Sequence, residues 1–233
     1  MWAGEAARLK SVVRVITPDL PGFGRFPRQK GGPSIPQMAR DAAEGLDRLG
    51  IKEPVVVGGL SMGGYVTFEF LRQFPERVRG LGLFSTRAEA DTPEARTKRF
   101  KTAREIQENG LEAFARAALP NLLGKTTLQS RPAVVKQVGE MVLANPPDGV
   151  ADALMAMGDR RDSTELLAGI TCPTLVVAGD EDTFIPVDQA RAMHQQIPGA
   201  RLEVIPQAGH LINLEQPPLF QQILEDFIKK LPL

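Results

Sequence analysis

Five short apolar runs punctuate the chain: VVRVIT (12–17), PVVVG (54–58), VRGLGLF (78–84), TLVVAG (174–179) and RLEVI (201–205). Near-continuous β-branched and aliphatic runs of this length fit strands buried on both faces of a parallel sheet. Between them the apolar positions spread to helical spacing. SIPQMARDAAEGLDRLG has Pro36 near its start and Gly50 after its end, MGGYVTFEFLRQF stops at Pro75, and VDQARAMHQQI stops at Pro198. The amphipathic stretch PPLFQQILEDFIKKL closes the chain. Such alternation implies right-handed crossovers, and so an α/β fold built on a doubly wound, mostly parallel sheet.

The alternation breaks between about residues 92 and 168, where helical patterns follow one another without a strand. Thr92 and Pro93 read as N-cap and first position of the first of these helices; LEAFARAAL, RPAVVKQVGEMVLAN and GVADALMAMG continue the series. The expected organisation is therefore a core made of residues 1–91 and 169–233, with a helical insertion, 92–168, set into it. The most loop-like region is GRFPRQKGGPS (24–34).

Composition narrows the partners. A chain of 233 residues suits one large α/β domain or a core with an insertion. Lys and Arg total 28 and so do Asp and Glu, so no global field draws the protein to nucleic acid or to an anionic membrane. A small uncharged molecule is the better expectation. No apolar run approaches the roughly 18 residues of a membrane span, and MWAGEAARLK lacks the apolar region of a signal peptide. These features predict a cytoplasmic protein. The single cysteine, Cys172, excludes an internal disulfide and, beside a strand, reads as a buried inert thiol.

The chemistry centres on GGLSMGG (58–64), between an apolar run and a helical one. A serine nucleophile on a sharp turn needs a strand before it, flanking residues too small to clash, and a helix beginning at once; all three are present in order. Gly59 and Gly63 are expected to clear space for the turn, and Gly58 and Gly64 to permit close packing. Met62 N–H, at the start of the helix, is then a donor for a developing oxyanion at Ser61. A dinucleotide fingerprint fits poorly, because serine holds the middle position and no acidic residue ends a second strand about twenty residues on.

A serine hydroxyl needs a base, which near neutral pH is histidine. His194 lies in a helical stretch with polar neighbours, whereas His210 lies in IPQAGHLINLEQP, a loop between the last strand and the last helix. The base in turn needs a carboxylate, and VVAGDEDTFIPV offers Asp180, Glu181 and Asp182 after a strand. Asp182 is favoured, with Asp180 expected to form an Asx-type turn; Asp19, in TPDLPGFG, reads as a loop residue. The order Ser61, Asp182, His210 matches that of this hydrolase class. No metal and no organic cofactor is implied.

Taken together, PDLPGFG, GLSMGGYV, FPERVRGLGLFSTRAEADTPEAR, CPTLVVAGDEDTFIP and IPGARLEVIPQAGHLINLEQP resemble the α/β-hydrolase fold family, and within it the bacterial esterase and 3-oxoadipate enol-lactonase-like group. The resemblance covers nearly the whole chain. It implies Ser61 as nucleophile, Asp182 as acid, His210 as base, and a helical lid from about residue 92 to 168. The implied activity is hydrolysis of a small carboxylic ester or lactone. Serine at position 61 separates the chain from the dehalogenase and epoxide hydrolase branches, which carry aspartate there.

One departure stands out. The family begins with an apolar strand and a His-Gly loop that donates the second oxyanion N–H, and neither is in this sequence; MWAGEAARLK resembles the helix that follows them, so about 20 to 25 residues of the pattern have no counterpart. In the family that strand lies between VVRVIT and PVVVG. The expectation is that these two edges pair with each other or recruit another chain. Loss of one oxyanion donor would cost about 2.7 to 4 kcal/mol at the transition state, so weak activity is expected. Two rival readings keep the same fold: a non-catalytic ligand-binding protein, and a cofactor-free haloperoxidase or perhydrolase.

Overall fold

The computed structural model describes residues 1–29 and 31–231. Its strands are β1 (Val55–Leu60), β2 (Val78–Phe84), β3 (Thr174–Gly179) and β4 (Arg201–Ile205). Its helices are α1 (Ala3–Leu9), α2 (Ile35–Arg48), α3 (Met62–Gln73), α4 (Pro93–Asn109), α5 (Glu112–Leu122), α6 (Lys125–Ser130), α7 (Pro132–Leu143), α8 (Pro147–Gly158), α9 (Val187–Gln196), α10 (Ile212–Glu215) and α11 (Pro217–Lys229). The helix starts follow the sequence signals. Ser34 Oγ accepts from Gln37 N–H at 3.2 Å and Thr92 Oγ1 from Ala95 N–H at 3.2 Å, each with a proline in the first turn.

All strand pairs are parallel, in the order β1-β2-β3-β4, with Leu60 opposite Phe84, Phe84 opposite Val177 and Gly179 opposite Ile205. Alternate side chains serve opposite faces. Leu81, Leu83, Val176 and Ala178 pack with Phe68 of α3 and Met193 of α9. Phe84, Leu175, Val177 and Ile205 pack with Phe220 and Phe227 of α11 and with Trp2. Every residue of β3 is buried, as a strand covered on both faces should be.

One expected strand does not form. Residues 12–17 adopt no strand, and they do not pair with β1. An apolar run becomes a strand only when a neighbour's N–H and C=O groups meet its own, and none of the described strands runs beside this one. β1 is consequently an edge strand with an alternating burial pattern, and Val56 at 37% and Ile16 at 37% exposure stay in contact with solvent. Cys172 is half-buried rather than fully buried, and burial raises its thiol above the ordinary range, leaving little thiolate.

Five helices, α4 to α8, occupy the span between β2 and β3. α4 and α8 share a small apolar core of Ala103, Ile106, Ala151 and Leu154. Charge ties them to the sheet side. The buried Asp91 carboxylate takes hydrogen bonds from Arg87, Arg99 and Arg160, and Arg160 also lies 4.1 Å over the Tyr65 ring of α3. Arg28 grips the buried Asp152 of α8 through Nε at 2.6 Å and Nη2 at 3.0 Å, which docks the loop of residues 19–29 on that helix.

Candidate active site

The serine turn is built by overlap constraints. A Cβ on Gly59 would collide with the backbone of Gly63, and one on Gly64 would collide with Thr86, so neither position tolerates a side chain. Gly63 differs from expectation, since a Cβ there meets nothing; the space the turn needs is cleared at Gly59. The turn drives Ser61 to φ +55°, ψ −115°, a left-handed conformation that costs a non-glycine residue about 1 to 3 kcal/mol. Three hydrogen bonds hold its backbone there: Ser61 N–H to Phe84 O at 2.9 Å, Gly64 N–H to Ser61 O at 2.9 Å, and the Thr86 side-chain Oγ1 to Ser61 O at 2.9 Å.

Ser61 precedes α3 but its hydroxyl caps no N–H of that helix, so the side chain is not consumed structurally. Met62 is the first helical residue, where an N–H has no carbonyl one turn back to receive it and sits at the positive end of the helix dipole. These groups lie where β1 ends, at the C-terminal edge of the sheet, the side on which open α/β sheets bind ligands.

The loops after β3 and β4 end at the same edge and bring two predicted residues together. His210 Nδ1 lies 2.8 Å from Asp182 Oδ2, with His210 1% and Asp182 6% exposed. A carboxylate only accepts, so Nδ1 carries the proton and Nε2 is left as the basic nitrogen. The other oxygen, Asp182 Oδ1, accepts from Phe184 N–H and Ile185 N–H, both at 2.9 Å. Three donors thus lock the carboxylate. The exposed Phe184 ring stands edge-on to the imidazole at 5.0 Å. The structure pairs His210 with Asp182, and among the described residues no hydrogen bond joins Ser61 Oγ to His210.

The remaining candidates fall outside this pair. Asp180 is exposed, and it is Asp182 that makes the Asx-type turn expected of Asp180, because its carboxylate is the one that reaches the N–H two residues on. His194 is exposed on α9, and Asp19 accepts from Arg25 N–H at 2.9 Å as a loop residue. Arg160, from the helical insertion, is held through Nη1 and Nη2 by Asp91, Met157 O and Glu89 O. The sequence offered Glu181 only as a candidate acid and did not single out Glu215; their carboxylates fasten these loops to Thr126 in the first turn of α6 and to Gly124 before it. An acid in a loop or a four-residue helix carries no periodic signal that marks its partners. Among the described residues no cluster of His, Cys, Asp and Glu could hold a metal ion, and no helix is long and apolar enough to cross a membrane.

Comparison with known proteins gives a consistent frame. The family described as alpha/beta hydrolase fold matches residues 1–217. A thermophilic esterase from Thermogutta terrifontis, solved with malate bound, superposes with a TM-score of 0.96 at 39% identity, covering 99% of this chain and 85% of that one. The enol-lactonase from Burkholderia xenovorans LB400 superposes with a TM-score of 0.89 at 28% identity, over 98% of this chain and 86% of that one. The 3-oxoadipate enol-lactonase 1 of Acinetobacter baylyi is 28% identical over 231 residues, 99% of this chain and 84% of the relative.

Proposed function

From a chain that belongs to the alpha/beta hydrolase fold family, and so to a class of hydrolases, we propose a serine hydrolase that cleaves a small carboxylic ester or lactone through an acyl-enzyme. The observation that carries this reading is the buried Asp182–His210 pair, held at the edge of the sheet where the elbow strains Ser61 outward. His210 Nε2 takes the Ser61 proton as Oγ attacks the carbonyl carbon, and Asp182 stabilises the imidazolium that results. Met62 N–H receives the negative charge forming on the carbonyl oxygen. The proton passes from His210 to the departing alkoxide, and a water deprotonated by the same ring then attacks the acyl carbon and regenerates Ser61. The helices α4 to α8 act as a cap over the substrate. Likeness to an esterase and to enol-lactonases supports the substrate class, and the zero net charge suits a small neutral partner in the cytoplasm.

Labelling with a fluorophosphonate tests the reading. The full chain is expected to label once, at Ser61, and Ser61→Ala to lose both labelling and turnover of p-nitrophenyl acetate by about 10⁴-fold or more. A wild-type protein that stays unlabelled would instead support a ligand-binding role, and acid-dependent perhydrolysis without ester turnover would support the haloperoxidase chemistry.

A further inference from the structure

Two carboxylates flank the site without belonging to the pair, and both end on one short turn of the cap. Glu215, 0% exposed, accepts through Oε1 from Gly209 N–H at 3.0 Å and Leu211 N–H at 3.2 Å, the residues on either side of His210. Its Oε2 accepts from Gly124 N–H at 2.8 Å, in the turn between α5 and α6. Glu181, next to Asp182, accepts from Thr126 N–H at 2.8 Å and from Thr126 Oγ1 at 2.6 Å, two residues further on in the first turn of α6. Burial pushes the Glu181 carboxyl up, but the two Thr126 bonds and the nearby Lys125 and Arg131 charges hold it below its ordinary range.

The backbone closes the arrangement. Glu181 N–H donates to Ala208 O at 2.9 Å, joining the loop of the acid to the loop of the base, and Leu211 N–H also reaches Leu122 O at 3.3 Å. Arg131 Nη1 donates to the Glu215 carbonyl. A Cβ on Gly209 would strike the Gly124 backbone, so the loop of the base and the cap turn touch directly.

We propose that Glu181 and Glu215 are positioning residues that make the geometry of the Asp182–His210 pair depend on the docked cap turn of residues 123–126. The inference rests on the serine hydrolase reading. Burying the Glu215 carboxylate is costly, and an apolar side chain would fill the space more cheaply; what only the carboxylate supplies is three acceptor sites spanning two elements. A base displaced by about 1 Å loses on the order of a hundredfold in rate without a matching loss of binding. The cap turn is therefore a support of the site as well as a cover.

The test compares full-length wild type, Glu215→Gln, Thr126→Val and, as an exposed control, Glu140→Gln. It reads p-nitrophenyl acetate turnover, fluorophosphonate labelling rate, amide hydrogen exchange and the folded fraction at the assay temperature. Glutamine keeps one acceptor and turns its amide donor on an N–H, so Glu215→Gln is expected to lower kcat about 10- to 100-fold with KM changed less than about threefold. Exchange should rise at residues 124, 209 and 211 while the protein stays folded. Thr126→Val removes only the hydroxyl bond and should lower kcat about 3- to 10-fold; if Glu215→Gln fails to fold, this variant decides. The inference is overturned if the folded variants keep wild-type kcat and labelling, or if kcat falls only in step with the folded fraction. Wild type that never labels at Ser61 sinks the hydrolase reading, and this inference with it; labelling that no variant slows sinks the inference alone.

Discussion

Ser61 shows how much of a sharp turn is set by its neighbours' lack of side chains. Its left-handed backbone is sustained by bonds to Phe84, Gly64 and Thr86, and by glycines at 59 and 64 whose Cβ positions are already occupied. Gly59→Ala is therefore expected to destabilise the protein by about 3 kcal/mol or more, because backbone atoms cannot be pushed aside like a core side chain. Gly63→Ala faces open space inside a helix and should leave stability unchanged or raise it by up to about 1 kcal/mol. Urea unfolding of both variants distinguishes them. On the proposed mechanism, Asp182→Asn should cost about 10⁴ in kcat, since an amide can hold His210 in the wrong tautomer, while Asp180→Asn should leave turnover near wild type. That choice between two aspartates was not settled by the sequence, where both follow a strand; burial and the bonds to Phe184 and Ile185 separate them.

At the scale of elements, four of five apolar runs became strands and the fifth did not. The runs at 78–84, 174–179 and 201–205 match the observed strands because each has a ladder partner. VVRVIT has the same composition and no partner, and periodicity cannot register that difference. Apart from the 7-residue α1, the anticipated helices run ten residues or more with a capping residue or a proline at their ends, whereas α6 and α10 were not foreseen; at 6 and 4 residues they are too short to show a period. The helices α4 and α8 also depend on a charge cluster. Burial raises the Asp91 carboxyl, and the bonds from Arg99 and Arg160 outweigh this and bring it below its ordinary range. Its native value being lowered, its contribution to stability is complete above the unfolded value of about 3.9 and is lost as pH falls through the lower native value. Wild type should therefore lose stability more steeply than Asp91→Asn below about pH 4, in urea midpoints taken across that range. Asp91→Ala should cost about 3 to 5 kcal/mol at neutral pH, since it strands the buried Arg160.

Across the whole molecule, the sheet, the loop of residues 19–29 and the helices α4 to α8 are fastened to one another at separate points: Arg28 on Asp152, Asp91 among its arginines, and the two glutamates on residues 124 and 126. Such cross-bracing favours one cooperative transition over independent melting of those helices. Asp152→Asn, which leaves Arg28 without its buried partner, should lower the thermal midpoint and keep a single transition by calorimetry. With no net charge to steer encounter, kcat/KM for a neutral ester should change less than about twofold between low and high salt.

The alternation of apolar runs and helices and the glycine-flanked serine between a strand and a helix were legible in the chain, because each is local or a matter of spacing along it. Tertiary structure decided what depends on distant partners. It left VVRVIT out of the sheet, gave Asp182 rather than Asp180 the histidine, and bonded Glu181 and the buried Glu215 to backbone 55 and 91 residues away. Pairing, burial and hydrogen-bond satisfaction are properties of two segments at once, and a pattern read along one segment does not contain them.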